Sequence, residues 1–165
     1  MTPNLLDLIT KAQAAGVTIT AAESCTGGLV AAALTDIPGS SAVFDRGFIT
    51  YSNAAKVEML GVSGTTLSTF GAVSQEVAEE MSRGALCNSN ASLAVSITGI
   101  AGPGGSDHKP EGRVCFGIAM SGQTPRSETV EFGPLGRSNV RNAARDHALA
   151  LLGQAIVPTH DDLQK

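Results

Sequence analysis

The sequence predicts an α/β fold, a three-layer α/β/α sandwich around a mixed, mostly parallel sheet of five strands. Segments of helical periodicity alternate with the first three segments of strand character, an order that favours strands covered by helices. The link between the last two strand segments, "SGQTP" at 121–125, is too short for a parallel crossover, so those strands should pair antiparallel. Hydrophobic residues make up 42% of the chain and aromatic residues only 4%, which favours close packing of helices on a sheet.

The amino-terminal third of the chain predicts three helices and two strands. A helix is expected over 3–15, with Thr2 as its cap and Pro3 at its first position. Its apolar stripe consists of Leu5, Leu8, Ile9 and Ala12. The next expected elements are a strand at 17–23, a helix at 27–35 ended by the turn sequence 36–39, a strand at 42–51 and a short helix at 53–60.

The remainder predicts two long helices and three strands. A helix is expected within 71–86, where Ser74 can cap and Glu76, Glu79 and Glu80 lie early. The further expected elements are strands at 92–100, 113–120 and 126–132 and a helix at 138–153. The segment 101–112 is irregular, and the tail at 158–165 should be frayed.

Length and charge restrict the classes of protein that the chain can represent. A length of 165 residues suits a single domain, 1–165, with a packed core over about 5–153. The net charge of -4 and the isoelectric point near 5.3 argue against nucleic-acid binding, which needs a basic surface. The chain is therefore not expected to bind nucleic acid.

The cysteines and the first residues indicate the compartment. Cys25, Cys87 and Cys115 are an odd number without metal-ligand spacing, so we expect neither disulfides nor a metal site. We also expect no organic cofactor. Asp7 and Lys11 interrupt the apolar residues near the amino terminus, which resembles neither a signal peptide nor a membrane span. The sequence predicts a soluble cytoplasmic protein that does not associate with membranes.

Polar clusters follow each of the first three predicted strands. They are "ESCTGG" at 23–28, "YSNAAK" at 51–56 and the glycine-rich segment 98–112. Ligands of open α/β sheets bind at the carboxyl ends of strands, in the crevice between helices. The coincidence of three clusters at three such ends is stronger evidence for a functional site than any one cluster.

Ser24 admits three interpretations from its local sequence. It can cap the following helix, for which serine is among the best residues. It can belong to an anion cradle of free N–H groups, since Gly27 and Gly28 allow close approach. It can also be a nucleophile on a strand-to-helix turn whose N–H groups form an oxyanion hole. Cys25 is a rival nucleophile, although only His108 lies in a loop from which it could serve as its base.

A nucleophilic serine needs a base, and the second cluster offers Lys56 and Tyr51. The ordinary pKa of lysine is about 10.4, so burial or a second cation must lower the pKa of Lys56 before it can act near neutral pH. Tyr51 could relay the proton to the leaving group. The alternative is that Lys56 is a solvated lysine near Glu58 and Tyr51 an aromatic residue at a strand end.

Two further features remain open on sequence alone. The glycines at 99–105 match neither a P-loop nor a dinucleotide fingerprint, so nucleotide contact and a plain surface loop are equally compatible with them. Arg137, Arg141 and Arg145 follow a helical spacing of four residues and form one basic stripe. The stripe can be a solvated face, or it can meet a phosphate or a partner subunit.

Four motifs together resemble a known family. They are "AAESCTGGL" at 21–29, "GFITYSNAAKVEMLGV" at 47–62, "GAVSQEVAEEM" at 71–81 and "SITGIAGPGGSDHKPEGRVCFGIA" at 96–119. In this order and spacing they resemble the C-terminal domain of CinA (competence/damage-inducible) proteins, over about residues 5–153. That domain is a nicotinamide mononucleotide amidohydrolase, which forms nicotinic acid mononucleotide and ammonia. The resemblance implies an α/β/α fold with a mixed five-stranded sheet and a homodimer.

The resemblance also implies roles for individual residues. Ser24 is the nucleophile, Lys56 its base and Tyr51 the proton relay, in chemistry similar to that of serine β-lactamases. The implied substrate contacts are Cys25, Thr26 and Gly27 through their N–H groups, Asn53, Thr98, Gly99, Gly102, Gly104 and Arg141. Two departures from the family pattern are "GPLGR" in place of "GDR" before the last helix and Cys25 where threonine is common.

A second function remains compatible with the sequence. The chain could be a non-catalytic nucleotide-binding module with a regulatory role in DNA uptake or the damage response, as the family name suggests. Release of ammonia from nicotinamide mononucleotide separates this alternative from the enzyme.

Overall fold

The computed structural model describes residues 4–156, and within them five strands form one sheet flanked by six α-helices. The elements in chain order are α1 (Leu5–Ala14), β1 (Ile19–Glu23), α2 (Leu29–Thr35), one 3₁₀ turn (Ser40–Ala42), β2 (Phe44–Ile49), α3 (Asn53–Leu60), α4 (Gly64–Phe70), α5 (Gln75–Cys87), β3 (Leu93–Gly99), β4 (Arg113–Met120), β5 (Arg126–Glu131) and α6 (Arg137–Ala155).

The sheet has the strand order β2-β1-β3-β4-β5. β1 pairs in parallel with both β2 and β3, whereas β4 pairs antiparallel with β3 and β5. Four strands therefore run in one direction and only β4 opposes them, which confirms the predicted mixed, mostly parallel sheet. The antiparallel β4–β5 pair follows from its short connection, as expected from the sequence.

Alternate side chains of the strands enter two apolar layers on opposite faces of the sheet. Leu93, Val95 and Ile97 of β3 belong to a large cluster with residues of α1, α2 and α6. Ala94, between them, belongs to a second cluster with Val77, Met81 and Ala85 of α5. This division produces the predicted three layers, because consecutive strand residues point to opposite faces.

α4 is the helix that the sequence prediction missed. Its residues, "GTTLSTF", include glycine and β-branched threonines, which are weak helix formers. Glu80 of α5 compensates, since its carboxylate accepts hydrogen bonds from the N–H of Ser63 at 2.7 Å and from the hydroxyl of Thr66 at 2.6 Å. A contact with another helix therefore stabilises the start of α4.

Several predicted boundaries shift by two to four residues. α1 begins at Leu5 and is capped by Asn4, whose side chain accepts the N–H of Asp7, while Thr2, Pro3 and the tail lie outside the described residues. α2 begins at Leu29 instead of position 27, because Gly27 and Gly28 have φ of 57° and 104° in the left-handed region. The other shifted bounds are Ile49 at the end of β2, Gln75 at the start of α5 and Ala155 at the end of α6.

The register of the sheet brings three strand ends together. Glu23, the last residue of β1, lies opposite Ile49 of β2 and Ile97 of β3. The loops that follow β1, β2 and β3 therefore leave the same edge of the sheet, as the sequence predicted. Among residues 4–156, no helix combines the length and the hydropathy needed to cross a membrane.

Candidate active site

A cavity of about 340 Å³ opens where the loops after β1, β2 and β3 meet. Its lining includes nine of the side chains or glycines predicted for the site: Ser24, Cys25, Tyr51, Asn53, Lys56, Thr98, Gly99, Gly102 and Gly104. The fold thus brings together residues that are up to 80 positions apart in the chain.

Ser24 and Lys56 are in direct contact. Lys56 Nζ lies 3.0 Å from Ser24 Oγ and 2.8 Å from the carbonyl oxygen of Thr50. α3 carries the lysine, and Ser52 caps this helix by accepting the N–H of Ala55. The sequence had left open a solvated lysine at this position. That alternative is wrong, because the lysine is only 1% exposed.

Burial changes the protonation of Lys56. Removal of the ammonium group from water lowers the pKa of Lys56 from its ordinary value, and a small opposing effect comes from Cys25. A buried lysine with a lowered pKa spends more of its time as the neutral amine, which can accept a proton from a hydroxyl. The pair therefore has the geometry and the electrostatics of a nucleophile with its base.

Cys25 lines the same cavity but differs from Ser24 in its chemistry. Burial raises the pKa of the Cys25 thiol to about 11. The nucleophilic form of cysteine is the thiolate, so a thiol with this pKa is almost inactive at neutral pH. His108, the base considered for a cysteine mechanism, does not line this cavity. Ser24 is the nucleophile that the geometry favours.

Glu23 is a residue of the site region that sequence reasoning missed. Its buried carboxylate accepts three hydrogen bonds from the start of α2: from the N–H of Gly28 at 2.9 Å, of Val30 at 3.2 Å and of Ala31 at 2.9 Å. These N–H groups are therefore not free to cradle an anionic ligand. An acidic residue at the end of an apolar strand, directly before a helix, was the signal that could have revealed this cap.

Two of the four remaining N–H groups of the turn at 24–27 already donate to backbone carbonyls. The N–H of Ser24 donates to the carbonyl of Ile97 at 2.9 Å, and that of Gly27 donates to the carbonyl of Ser24 at 3.1 Å. Within residues 4–156, the N–H groups of Cys25 and Thr26 donate to no other residue. Of the predicted Cys25–Gly27 oxyanion donors, Gly27 is therefore already engaged.

The three arginines of the basic stripe have three different surroundings. Arg137 lines the cavity and donates to the carbonyl of Gly102 at 2.8 Å and to the hydroxyl of Tyr51 at 2.9 Å. Arg141 lies behind the turn and donates to backbone carbonyls, whereas Arg145 pairs with Asp146. Thr26, Gly27 and Arg141, all expected to contact substrate, are thus outside the cavity lining.

The glycine-rich segment 98–112 forms one wall of the cavity, through its residues 98–106. Thr98 is buried and its hydroxyl donates to the carbonyl of Ala72 at 2.8 Å, which ties β3 to the segment before α5. Glu111 accepts the N–H of Gly104 at 2.9 Å. Lys109 donates to the carbonyls of Phe70 and Val73. These contacts between loops hold the wall in place, and Glu111 and Lys109 were not identified from the sequence.

The described part of the chain offers no arrangement of donors for a metal ion. In residues 4–156, no group of three or more His, Cys, Asp or Glu side chains is placed to hold one.

Known proteins resemble this chain over nearly all its described length. A nicotinamide-nucleotide amidohydrolase PncC of Escherichia coli K12 is 52% identical over 149 residues, which are 88% of each protein. A CinA-like protein of Chlorobium phaeobacteroides is also 52% identical, over 86% of this chain but 34% of its own length. The chain spans about a third of this relative and of a putative competence-damage inducible protein of Caldicellulosiruptor saccharolyticus.

The fold has solved counterparts. The crystal structure of the competence/damage inducible protein CihA from Agrobacterium tumefaciens has a TM-score of 0.87 and 46% identity, with 94% of this chain and 98% of that chain covered. A CinA superfamily protein from E. coli has a TM-score of 0.85 and 34% identity over 92% of this chain and 88% of its own. The sequence model of the CinA C-terminal domain family matches residues 4–156 of this chain. The chain belongs to the CinA C-terminal domain family.

Proposed function

We propose that this chain hydrolyses the carboxamide of nicotinamide mononucleotide to nicotinic acid mononucleotide and ammonia, through an acyl-enzyme on Ser24. The observation that carries the proposal is the buried contact of 3.0 Å between Ser24 Oγ and Lys56 Nζ. The names of relatives from E. coli and another bacterium support this choice of substrate, since they are nicotinamide-nucleotide amidohydrolases.

The first half of the reaction forms the ester. Neutral Lys56 accepts the proton of the Ser24 hydroxyl while Oγ attacks the carboxamide carbon. The carbonyl oxygen becomes an oxyanion, and the N–H groups of Cys25 and Thr26 are the donors available to stabilise it. The hydrogen bond to the Thr50 carbonyl orients the amine, so that its lone pair can face Ser24.

Departure of ammonia needs a proton on the leaving nitrogen. Protonated Lys56 holds the proton taken from Ser24 and can return it as the C–N bond breaks. Tyr51 is the second source: Arg137 donates to its phenolic oxygen, which leaves the O–H proton free for another acceptor. Of the two, only Lys56 contacts Ser24 Oγ directly among the described residues.

The second half of the reaction repeats these steps with water. Lys56 removes a proton from a water molecule that attacks the ester carbon, and the C–Oγ bond breaks as the proton passes to Ser24 Oγ. The products are the nicotinic acid nucleotide and the free enzyme. The same residue therefore serves as base and acid in both halves.

Arg137 and the glycine-rich segment 98–112 are the candidate contacts for the anionic nucleotide. Arg137 contacts only neutral acceptors, a carbonyl and a phenol, so no carboxylate neutralises its charge in the described structure. A substrate phosphate can form charge-assisted hydrogen bonds with such a guanidinium. Asn53, at the cavity edge, remains the candidate for the substrate amide.

Ammonia release from nicotinamide mononucleotide tests the proposal. Wild type should release ammonia, and Ser24→Ala and Lys56→Ala should each lose about three or more orders of magnitude in kcat. The kcat/KM profile should show a kinetic pKa well below 10, because the base is Lys56 with its pKa lowered. Binding of the nucleotide without ammonia release by wild type would favour the regulatory module instead.

A further inference from the structure

Arg141 of α6 binds the outer side of the turn that carries the nucleophile. Its Nε donates to the carbonyl of Cys25 at 3.0 Å and its Nη2 to the carbonyl of Thr26 at 3.1 Å. Gly27 lies beside the guanidinium, where a Cβ would be in ordinary contact with Nη2 at 3.4 Å. One side chain thus holds two successive peptide groups, Cys25–Thr26 and Thr26–Gly27.

These hydrogen bonds determine which way the turn's N–H groups point. In a planar trans peptide the C=O and the N–H point in opposite directions. The N–H of Thr26 shares its peptide group with the carbonyl of Cys25, so it points away from Arg141. The N–H of Cys25 belongs to the Ser24–Cys25 peptide, whose carbonyl accepts the N–H of Gly27, so it points away from Gly27. Arg141 acts on this N–H indirectly, because it holds the Thr26–Gly27 peptide that carries the Gly27 N–H. The two N–H groups without acceptors are therefore held in fixed orientations.

We propose that Arg141 is a positioning residue for the oxyanion formed when Ser24 attacks: it orients the N–H group of Thr26 directly, and that of Cys25 through Gly27, whose N–H binds the Ser24 carbonyl. The inference rests on the proposed acyl-enzyme mechanism. Arg141 is outside the cavity lining and acts through the backbone, whereas Arg137 faces the cavity. Its contribution is preorganisation: dipoles held in place before the reaction stabilise developing charge without reorganisation.

Kinetics of Arg141→Ala test this role. Loss of one oxyanion donor costs about 10²–10³ in kcat, so Arg141→Ala should lower kcat by about 100-fold while KM stays within about two-fold. Arg141→Lys should not restore kcat, because an ammonium group cannot donate to both carbonyls with the fixed planar geometry of a guanidinium. Guanidinium chloride at a non-denaturing concentration should restore part of kcat in Arg141→Ala. Arg145→Ala is the matched control, since Arg145 pairs with Asp146 and should show neither effect.

Three results would overturn the inference: an unchanged kcat in Arg141→Ala, a rise in KM alone, or loss of kcat that guanidinium does not restore in a folded variant. If Arg141→Ala does not fold, Arg141→Lys carries the same test, because it keeps the aliphatic stem. A second readout is independent of the nucleotide: a fluorophosphonate should label Ser24 more slowly in Arg141→Ala than in wild type and Arg145→Ala. Wild type inactive on the nucleotide would refute the proposed substrate, whereas equal labelling rates would refute only the role of Arg141.

Discussion

Lys56 Nζ lies 3.0 Å from Ser24 Oγ at a position where the lysine is 1% exposed, although the two residues are 32 positions apart. No carboxylate contacts the amine among the described residues, and its other partner is the neutral carbonyl of Thr50. The fold thus keeps an ionisable group away from water without a counter-ion. This arrangement favours the neutral, basic form and has consequences for stability as well as for catalysis.

Stability should rise with pH through the titration of Lys56. Its pKa is lowered in the folded state and about 10.4 when unfolded. Between these values the unfolded chain binds more protons, so the free energy of unfolding increases with pH, by about 1.4 kcal/mol for each pKa unit of the difference. Urea denaturation from about pH 6 to about pH 8 measures this slope, below the range in which the raised pKa of the Cys25 thiol opposes it. Lys56→Met should reduce the increase of the free energy of unfolding with pH. An equal increase with pH in the wild type and in Lys56→Met would contradict the prediction.

Glu23→Gln should destabilise the protein. A glutamine keeps the shape but replaces one acceptor oxygen with an NH₂ group that faces backbone N–H donors of α2. Hydrogen bonds to a charged group contribute about 1.5–3 kcal/mol, so we expect a loss of about 2 kcal/mol in the free energy of unfolding. The measurement is the urea midpoint at constant m-value. Glu58→Gln, on the exposed side of α3, is the matched control and should change little.

Cys25→Ser should keep kcat within about ten-fold of wild type. With a pKa of about 11, about one Cys25 thiol in ten thousand is ionised at pH 7. Iodoacetamide should therefore modify the exposed Cys87 before the buried Cys25, as mass spectrometry can establish. A loss of activity in Cys25→Ser as large as in Ser24→Ala would assign the nucleophile to the cysteine.

Arg137→Ala should weaken binding of the nucleotide through its phosphate. Removal of a charge-assisted hydrogen bond predicts an increase in KM for nicotinamide mononucleotide of about 10- to 100-fold. Nicotinamide riboside, which lacks the phosphate, should show the same KM with wild type and variant. Arg145→Ala serves as the control on the same helix. An equal change for both substrates would mean that Arg137 does not contact the phosphate.

Two glycines in helices should respond to alanine in opposite directions. Gly84 of α5 packs against the backbone of Leu60, and a Cβ there would overlap the Leu60 carbonyl, so Gly84→Ala should cost about 1–3 kcal/mol. Gly153 of α6 has space, with Leu8 Cδ1 3.9 Å away, and Gly153→Ala should stabilise by about 0.5–1 kcal/mol. Thermal denaturation of both variants checks the pair, and stabilisation by Gly84→Ala would contradict the α3–α5 contact.

Some expectations stay predictions. They are the single-domain organisation of 1–165, the homodimer, the cytoplasmic location, and the catalytic and substrate-binding roles of the named residues. Gel filtration of the purified chain addresses the dimer, and the variants above address the roles.

The sequence by itself determined the order and type of nearly all elements and the edge of the sheet where the site lies. Helical and strand periodicities are local properties, and the carboxyl ends of parallel strands meet at one edge whatever the details of packing.

The tertiary structure alone decided the rest. It buries Lys56 and Glu23, supports the weak helix α4 through Glu80, and places Arg137 in the cavity but Arg141 behind the turn. Arg141 and Cys25 are 116 positions apart. The role of Glu23 as the cap of α2 depends on the packing of α2 against the end of β1, which the sequence around Glu23 does not reveal. The pKa of a side chain and its hydrogen bonds depend on its burial and on its neighbours in space, and only the packed tertiary structure specifies both.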